Sequence, residues 1–199
     1  MKKFFKSLML ISVCLGLSAT VNAKTFRYAT TGDILGLDPH ANNEGPTNTM
    51  KGNIYGRMLH RKADLSLEPD LATKWEKLDA NTWRFSLRRG VKFHNGNDFN
   101  ADDVLFSYKR QTQEASDMSF ALATIKQINK VDDYTVDLIT KGPDPILLLN
   151  MPMFYIVDKE WIEANNAFEV VRASGSTNFA NVNTNGTGPF KVVEWIQDT

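Results

Sequence analysis

The clearest alternation of apolar and polar positions falls at residues 82–88, where Trp83, Phe85 and Leu87 interleave with Arg84, Ser86 and Arg88. A period of two is that of a strand with one buried face. Just before it, Asp70 to Trp75 reads as a short helix, followed by a tight acidic turn over Leu78 to Asn81. Just after it, the polar turn His94-Asn95-Gly96-Asn97 leads into a helix whose start is well marked. Asn100 is its cap, Asp103 sits three residues on, and Lys109 and Arg110 lie in its last turns, with Val104, Leu105 and Tyr108 facing a core.

The same pattern extends in both directions. Met50, Ile54, Met58 and Leu59 recur at helical spacing and predict a helix over about 47–59. Met118, Leu122 and Ile125 do the same for 119–129. Strands are expected over Thr25 to Thr30, breaking at Thr31-Gly32-Asp33, over Tyr134 to Thr140 between Asp132-Asp133 and Gly142-Pro143, and over Lys191 to Trp195. A short apolar helix is expected over 144–151 and a polar one over 159–166. The Asp38-Pro39-His40 region and the Ser-, Asn-, Thr- and Gly-rich stretch 173–185 read as loops.

The first residues follow a different logic. Lys2, Lys3 and Lys6 precede an apolar run, Leu8 to Leu17, too short to span a bilayer, and Val21-Asn22-Ala23 offers a small-residue cleavage site. Cleavage is therefore expected between Ala23 and Lys24, with a retained membrane anchor as the alternative. The single cysteine, Cys14, lies inside the apolar run behind Val13, a poor setting for lipid attachment. Its removal leaves no thiol to mispair in an oxidising compartment.

Charge changes the picture modestly. The whole chain balances 23 basic against 23 acidic side chains, and loss of the three leading lysines leaves a net charge of −3, which does not suit DNA or anionic lipid. Candidate chemistry is sparse. His40, His60 and His94 lie in different elements with no shared ligand spacing, so no metal site is assigned. Asp102-Asp103 resembles an acid pair, but a first helical turn favours negative charge in any case. Arg88-Arg89 and Lys92 read as a solvated basic face. An exported hydrolase would need a nucleophile beside a base or a metal cluster, and no such local signature stands out, so no enzyme is expected.

Several motifs together carry a resemblance. The stretch from Glu68 to Arg110, with Asp70-Leu71-Ala72 and Trp75, then Trp83, Phe85 and Leu87, resembles the signature region of the peptide-type (family 5) solute-binding proteins of ABC importers. Gly186-Thr187-Gly188-Pro189-Phe190 is similar to the turn by which that family returns from its inserted second domain to its first, and the Thr-Gly-Asp break after the first strand is a third likeness. The resemblance implies an α/β fold of the type II periplasmic binding protein class, its first lobe present in part. The segments would be a signal peptide at 1–23, the first segment of domain I at 24–46, an inserted domain II at 47–170, and a return into domain I at 171–199.

It further implies a monomeric periplasmic receptor without a cofactor, which collects dipeptides or oligopeptides, or else nickel or haem, for an inner-membrane ABC permease and has no nucleic-acid partner. Members are commonly more than twice this length, so the resemblance also implies a chain that stops before a third domain closes over the ligand. The candidates for backbone contact with a peptide are Thr30, Thr31, Gly32 and Asp33, where glycine allows close approach. An ordinary strand-ending turn is the alternative reading of those four residues.

Overall fold

The computed structural model describes residues 32–172 and 177–196. The signal segment, the strand expected at Thr25 to Thr30, and the residues Thr30 and Thr31 lie outside them.

Helix α1 (Gly45–Ile54) opens with the Glu44 carboxylate accepting from the Thr47 amide and with Pro46 in its first turn, where a missing N–H costs nothing. A two-stranded hairpin follows, β1 (Leu59–Arg61) against β2 (Leu67–Pro69). Four strands then make an antiparallel sheet in the order β3-β4-β6-β5, namely β3 (Ala72–Lys77), β4 (Thr82–Leu87), β5 (Ile125–Asp132) and β6 (Thr135–Thr140). Between β4 and β5 runs α2 (Ala101–Gln111), with the expected capping box between Asn100 and Asp103. Short helices α3 (Leu147–Asn150), α4 (Lys159–Ala164) and α5 (Phe179–Val182) complete the described fold.

One face of the sheet supplies most of the core. Phe85, Leu87, Val136, Leu138, Ile125 and Ile128 are buried there with Val104 of α2, and Trp75, Trp83, Leu105 and Tyr108 pack against them. On the other face Arg84 makes two hydrogen bonds to Asp137, each of 2.8 Å, across the β4–β6 pair. The alternation read in the sequence at 82–88 is thus the division between these faces.

Two expected helices are largely strands, and both strands are irregular. In β3, Ala72 lies opposite Leu87 and Trp75 opposite Phe85, with a register shift between Ala72 and Lys74. In β5, Ile125 lies opposite Thr140 and Ile128 opposite Leu138, with a shift between Ile125 and Gln127. Each irregularity inserts one residue, so two core-facing side chains stand three apart instead of two. At Asp70 to Trp75 the resulting spacing imitates a helix; at 119–129, expected from Met118, Leu122 and Ile125, only a 3-10 turn, Ser119–Leu122, is helical, and Ile125 already opens β5.

Other boundaries move too. Helix α1 ends at Ile54 rather than Leu59, because Gly188 N–H and Phe190 N–H donate to Ile54 O (2.8 Å) and Asn53 O (3.2 Å), occupying the place of the next turn. The helix expected over 144–151 contracts to α3 followed by a 3-10 turn at Met151–Met153. The stretch expected as a loop at 173–185 contains α5. Lys191 to Trp195 joins no sheet among the described residues, and Val193 is 99 % exposed.

Candidate functional site

The turn Gly186-Phe190 is built into the fold by its missing side chains. A Cβ on Gly186 would overlap the carbonyl of Ile54, and one on Gly188 would stand 2.6 Å from Asn53 O. Between them, the Thr187 hydroxyl accepts from Gly56 N–H at 3.1 Å. The turn His94 to Asn97 closes the other side. His94 N–H donates to Gly186 O at 2.9 Å, and the His94 ring accepts from Gly186 N–H through Nδ1 at 3.3 Å. Its Nε2 therefore carries the proton and donates to Gly188 O at 2.8 Å.

Next to this turn, the buried Asp158 carboxylate begins α4. Its Oδ1 accepts from Trp161 N–H, and its Oδ2 accepts from the amides of Asn95 (2.9 Å), Asn97 (2.8 Å) and Asn185 (2.8 Å). Two motifs that are some ninety residues apart in sequence, around His94 and around Gly186, meet here. A polar cleft of about 370 Å³ opens against the same turn, lined by Gly52, Arg57, His60, Asp70 and Thr187 among others. Within it, Arg57 Nη2 donates to His60 Nδ1 at 3.0 Å, and Asp70 accepts from Arg57 N–H at 3.1 Å.

Gly32 and Asp33 are exposed, with Gly32 above Pro46 at the start of α1. Asp33 accepts from Ile34 N–H at 2.7 Å, and Leu35 N–H donates to the Thr47 hydroxyl at 3.0 Å. Behind them the chain dives inward, and residues 36–42 are all buried. There the Arg110 guanidinium pairs with Asp38 through bonds of 2.8 and 2.5 Å, donates to Ala167 O, and donates to His40 Nδ1 at 3.0 Å. His40 Nε2 then holds the proton and donates to Tyr155 O at 3.0 Å.

Burial works against each charge in this network. It pushes the Asp38 carboxyl up, but the Arg110 charge and hydrogen bonds more than offset that and hold it below the usual range. Burial, seconded by Arg110, pulls His40 down to about 3, so the ring is neutral. Burial likewise pulls Lys51 down to about 8.

The structure therefore separates the expected site residues. Phe85 and Leu87 are buried in the sheet core, with Trp83 packed against it. In the turn Gly186 to Phe190, Gly188 and Phe190 cap α1, Thr187, Gly188 and Pro189 border the cleft, and Gly186 packs against Ile54. Gly32 and Asp33 stand at the other end of α1. His40, His60 and His94 are not brought together, and among the described residues no three His, Cys, Asp or Glu side chains could hold a metal ion. Sequence reading passed over Arg110 as a charge suited to a helix end and Asp38-Pro39-His40 as a loop. The available signal was an arginine four residues after Phe106, on a helical face that the fold buries.

Residues 66–199 match the family described as bacterial extracellular solute-binding proteins, family 5, middle region. The chain belongs to this family. The dipeptide-binding protein of Escherichia coli K12 is 31 % identical over 94 % of this chain and 38 % of its own length. Heme-binding protein A of Haemophilus influenzae is 32 % identical over 87 % of the chain and 35 % of its own length. Among solved structures, the ABC transporter-associated periplasmic binding protein DppA of Helicobacter pylori, in complex with the peptide STSA, aligns with a TM-score of 0.70 and 30 % identity, covering 82 % of this chain and 35 % of that one. The α/β fold is that of type II periplasmic binding proteins, represented here in part, and the chain spans little more than a third of the length of these relatives.

Proposed function

We propose that this family 5 chain serves as part of the extracytoplasmic substrate-binding component of an ABC importer, with dipeptides or oligopeptides as its solute. The observation that carries the reading is the match, over 94 % of the chain, to a dipeptide-binding protein, supported by a fold shared with a peptide-loaded receptor. The exposed Gly32-Asp33 segment suits a peptide held by its main chain, because a ligand that is bound through backbone hydrogen bonds leaves its side chains free to vary. In this reading Thr30 and Thr31, which lie outside the described residues, are further contacts for the peptide main chain. Residues 47–170 form the inserted domain and 171–199 the return to the first. The receptor is a monomer, has no catalytic group, is released to the periplasm by cleavage after Ala23, and delivers its load to an inner-membrane permease.

A haem-binding reading has its own support in the relative from Haemophilus influenzae, whose identity to this chain is equally high. A two-lobed receptor desolvates its ligand between the lobes, and one lobe supplies only part of the contacts. Losing two charge-assisted hydrogen bonds of about 1.5–3 kcal/mol each weakens binding roughly 10²- to 10⁴-fold. Calorimetry of these 199 residues, signal removed, against a di- and tripeptide library, haem and Ni(II) is expected to give weak binding confined to peptides. A response to haem or nickel alone would replace the peptide reading, and micromolar or tighter peptide affinity would overturn the account of lobe closure.

A further inference from the structure

The buried stretch 36–42 has no regular secondary structure, yet every carbonyl from Leu37 to Asn42 is satisfied. Leu37 O accepts from the Tyr55 hydroxyl (3.2 Å), Asp38 O from Ala41 N–H (3.4 Å) and Pro39 O from Lys51 Nζ (3.1 Å). His40 O accepts from the Ser116 hydroxyl (2.7 Å), Ala41 O from Asp117 N–H (3.3 Å) and Asn42 O from Lys51 Nζ (2.8 Å). Two side chains of the stretch, Asp38 and His40, are gripped by Arg110, which itself is fully buried. A loop kept inside a protein must find such partners one by one, since water cannot supply them.

Apolar residues would fill the same volume without the cost of burying Lys51, Arg110 and Asp38. What the polar arrangement adds is a single defined backbone path. That path leads directly to the exposed Gly32 and Asp33, and it is tied down beside them by Leu35 N–H on the Thr47 hydroxyl and Leu37 N–H on Asn181 O. We propose that Arg110 and Lys51 are positioning residues, which clamp 36–42 as a fixed base so that the main chain of Gly32 and Asp33 meets a peptide already in its binding geometry. The proposal rests on the peptide reading above and adds the residues that tune affinity without touching the ligand. Pre-ordering a segment removes the entropy that its ordering would otherwise subtract from binding.

The test uses the ¹⁵N-labelled chain, with tri-alanine as probe. Arg110→Lys keeps the charge but not the fork that spans Asp38, His40 and Ala167. Tyr55→Phe and Ser116→Ala each remove one donor and serve as milder changes, should Arg110→Lys fail to fold. Amide exchange at Leu35 and Leu37 is expected to accelerate about tenfold in the mild variants, with exchange in the sheet unchanged. Tri-alanine-induced shifts at Gly32 and Asp33 are expected to need about tenfold more peptide. Shifts that persist undiminished in the variants, or exchange that rises equally in the sheet, would overturn the positioning role alone. No shift at any amide of the parent chain would overturn the peptide reading and this role together.

Discussion

Helix α2 has two buried sides that differ in how much of their hold is directional. Toward the sheet it presents Val104, with Leu105 and Tyr108 packed alongside, and the contact is one of hydrocarbon area removed from water. Toward the loops it presents Ser107, Arg110 and Gln111, each spent on another segment's backbone. Ser107 Oγ accepts from Val157 N–H, Gln111 Nε2 donates to Met118 O and Met153 O, and Arg110 donates to Ala167 O. The first side tolerates approximate partners because dispersion and burial are non-directional. The second adds Phe106 to its own apolar cluster, but its polar part holds only while each donor faces its acceptor.

The sharpest way to break this comparison is to remove one anchor from each side. Phe85→Ala and Arg110→Met are each expected to cost about 3–5 kcal/mol in a urea titration, the first by leaving a cavity and the second by leaving Asp38 buried without its partner. They should differ in rescue. Adding Asp38→Leu to Arg110→Met should recover much of the loss, whereas no single polar change compensates for Phe85. A loss below about 1 kcal/mol for Phe85→Ala would mean that the core-facing side of β4 is misassigned.

A smaller effect separates the two sides by pH. His40 falls from 6.5 to about 3 on folding, so only the unfolded chain takes up its proton as the pH drops below 6.5, and stability is lost on that account. Asp103, buried in the α2 cap, rises from 3.8 to about 6, so the native chain takes up a proton first, and stability is gained between pH 6 and 4. At 1.36 kcal/mol per pK unit these opposing contributions are about 3 kcal/mol each in that window and nearly cancel. In Asp103→Asn the cancellation is removed, and stability measured by urea titration should decline by about 3 kcal/mol from pH 6.5 to 4. Stability that stays level over this range in Asp103→Asn would overturn the lowered His40, and a profile identical to the parent's would overturn the raised Asp103. Smallest of all, Asn100→Ala should cost about 1 kcal/mol through the lost cap, read from the midpoint of thermal unfolding.

The same contrast explains what could be read in the sequence. The β4 strand, the α2 cap, the strand at 135–140 and the family itself were legible, because alternation, capping and glycine turns leave marks on neighbouring residues. The helix expected at Asp70 to Trp75 went astray where an inserted residue turned a spacing of two into three, and the one expected at 119–129 because the spacing of Met118, Leu122 and Ile125 spans a 3-10 turn and the start of a strand. The buried clamp on 36–42 left no mark, because its donors, Lys51, Tyr55, Arg110 and Ser116, come from separate segments and are joined only by the fold.

The inserted residues in β3 and β5 have a further consequence, since these are the two outer strands of the sheet. An outer strand offers unpaired backbone groups on which a second chain can grow, and a flat one invites fibril formation. Here each rim is kinked by its irregularity and carries exposed lysines, Lys74 and Lys77 on one, Lys126 and Lys130 on the other. A neighbouring molecule arriving at either rim would meet charged side chains, Glu76 and Asp132 among them, and a backbone out of step with its own. For a chain that folds in the company of identical copies, that mismatch guards against aggregation.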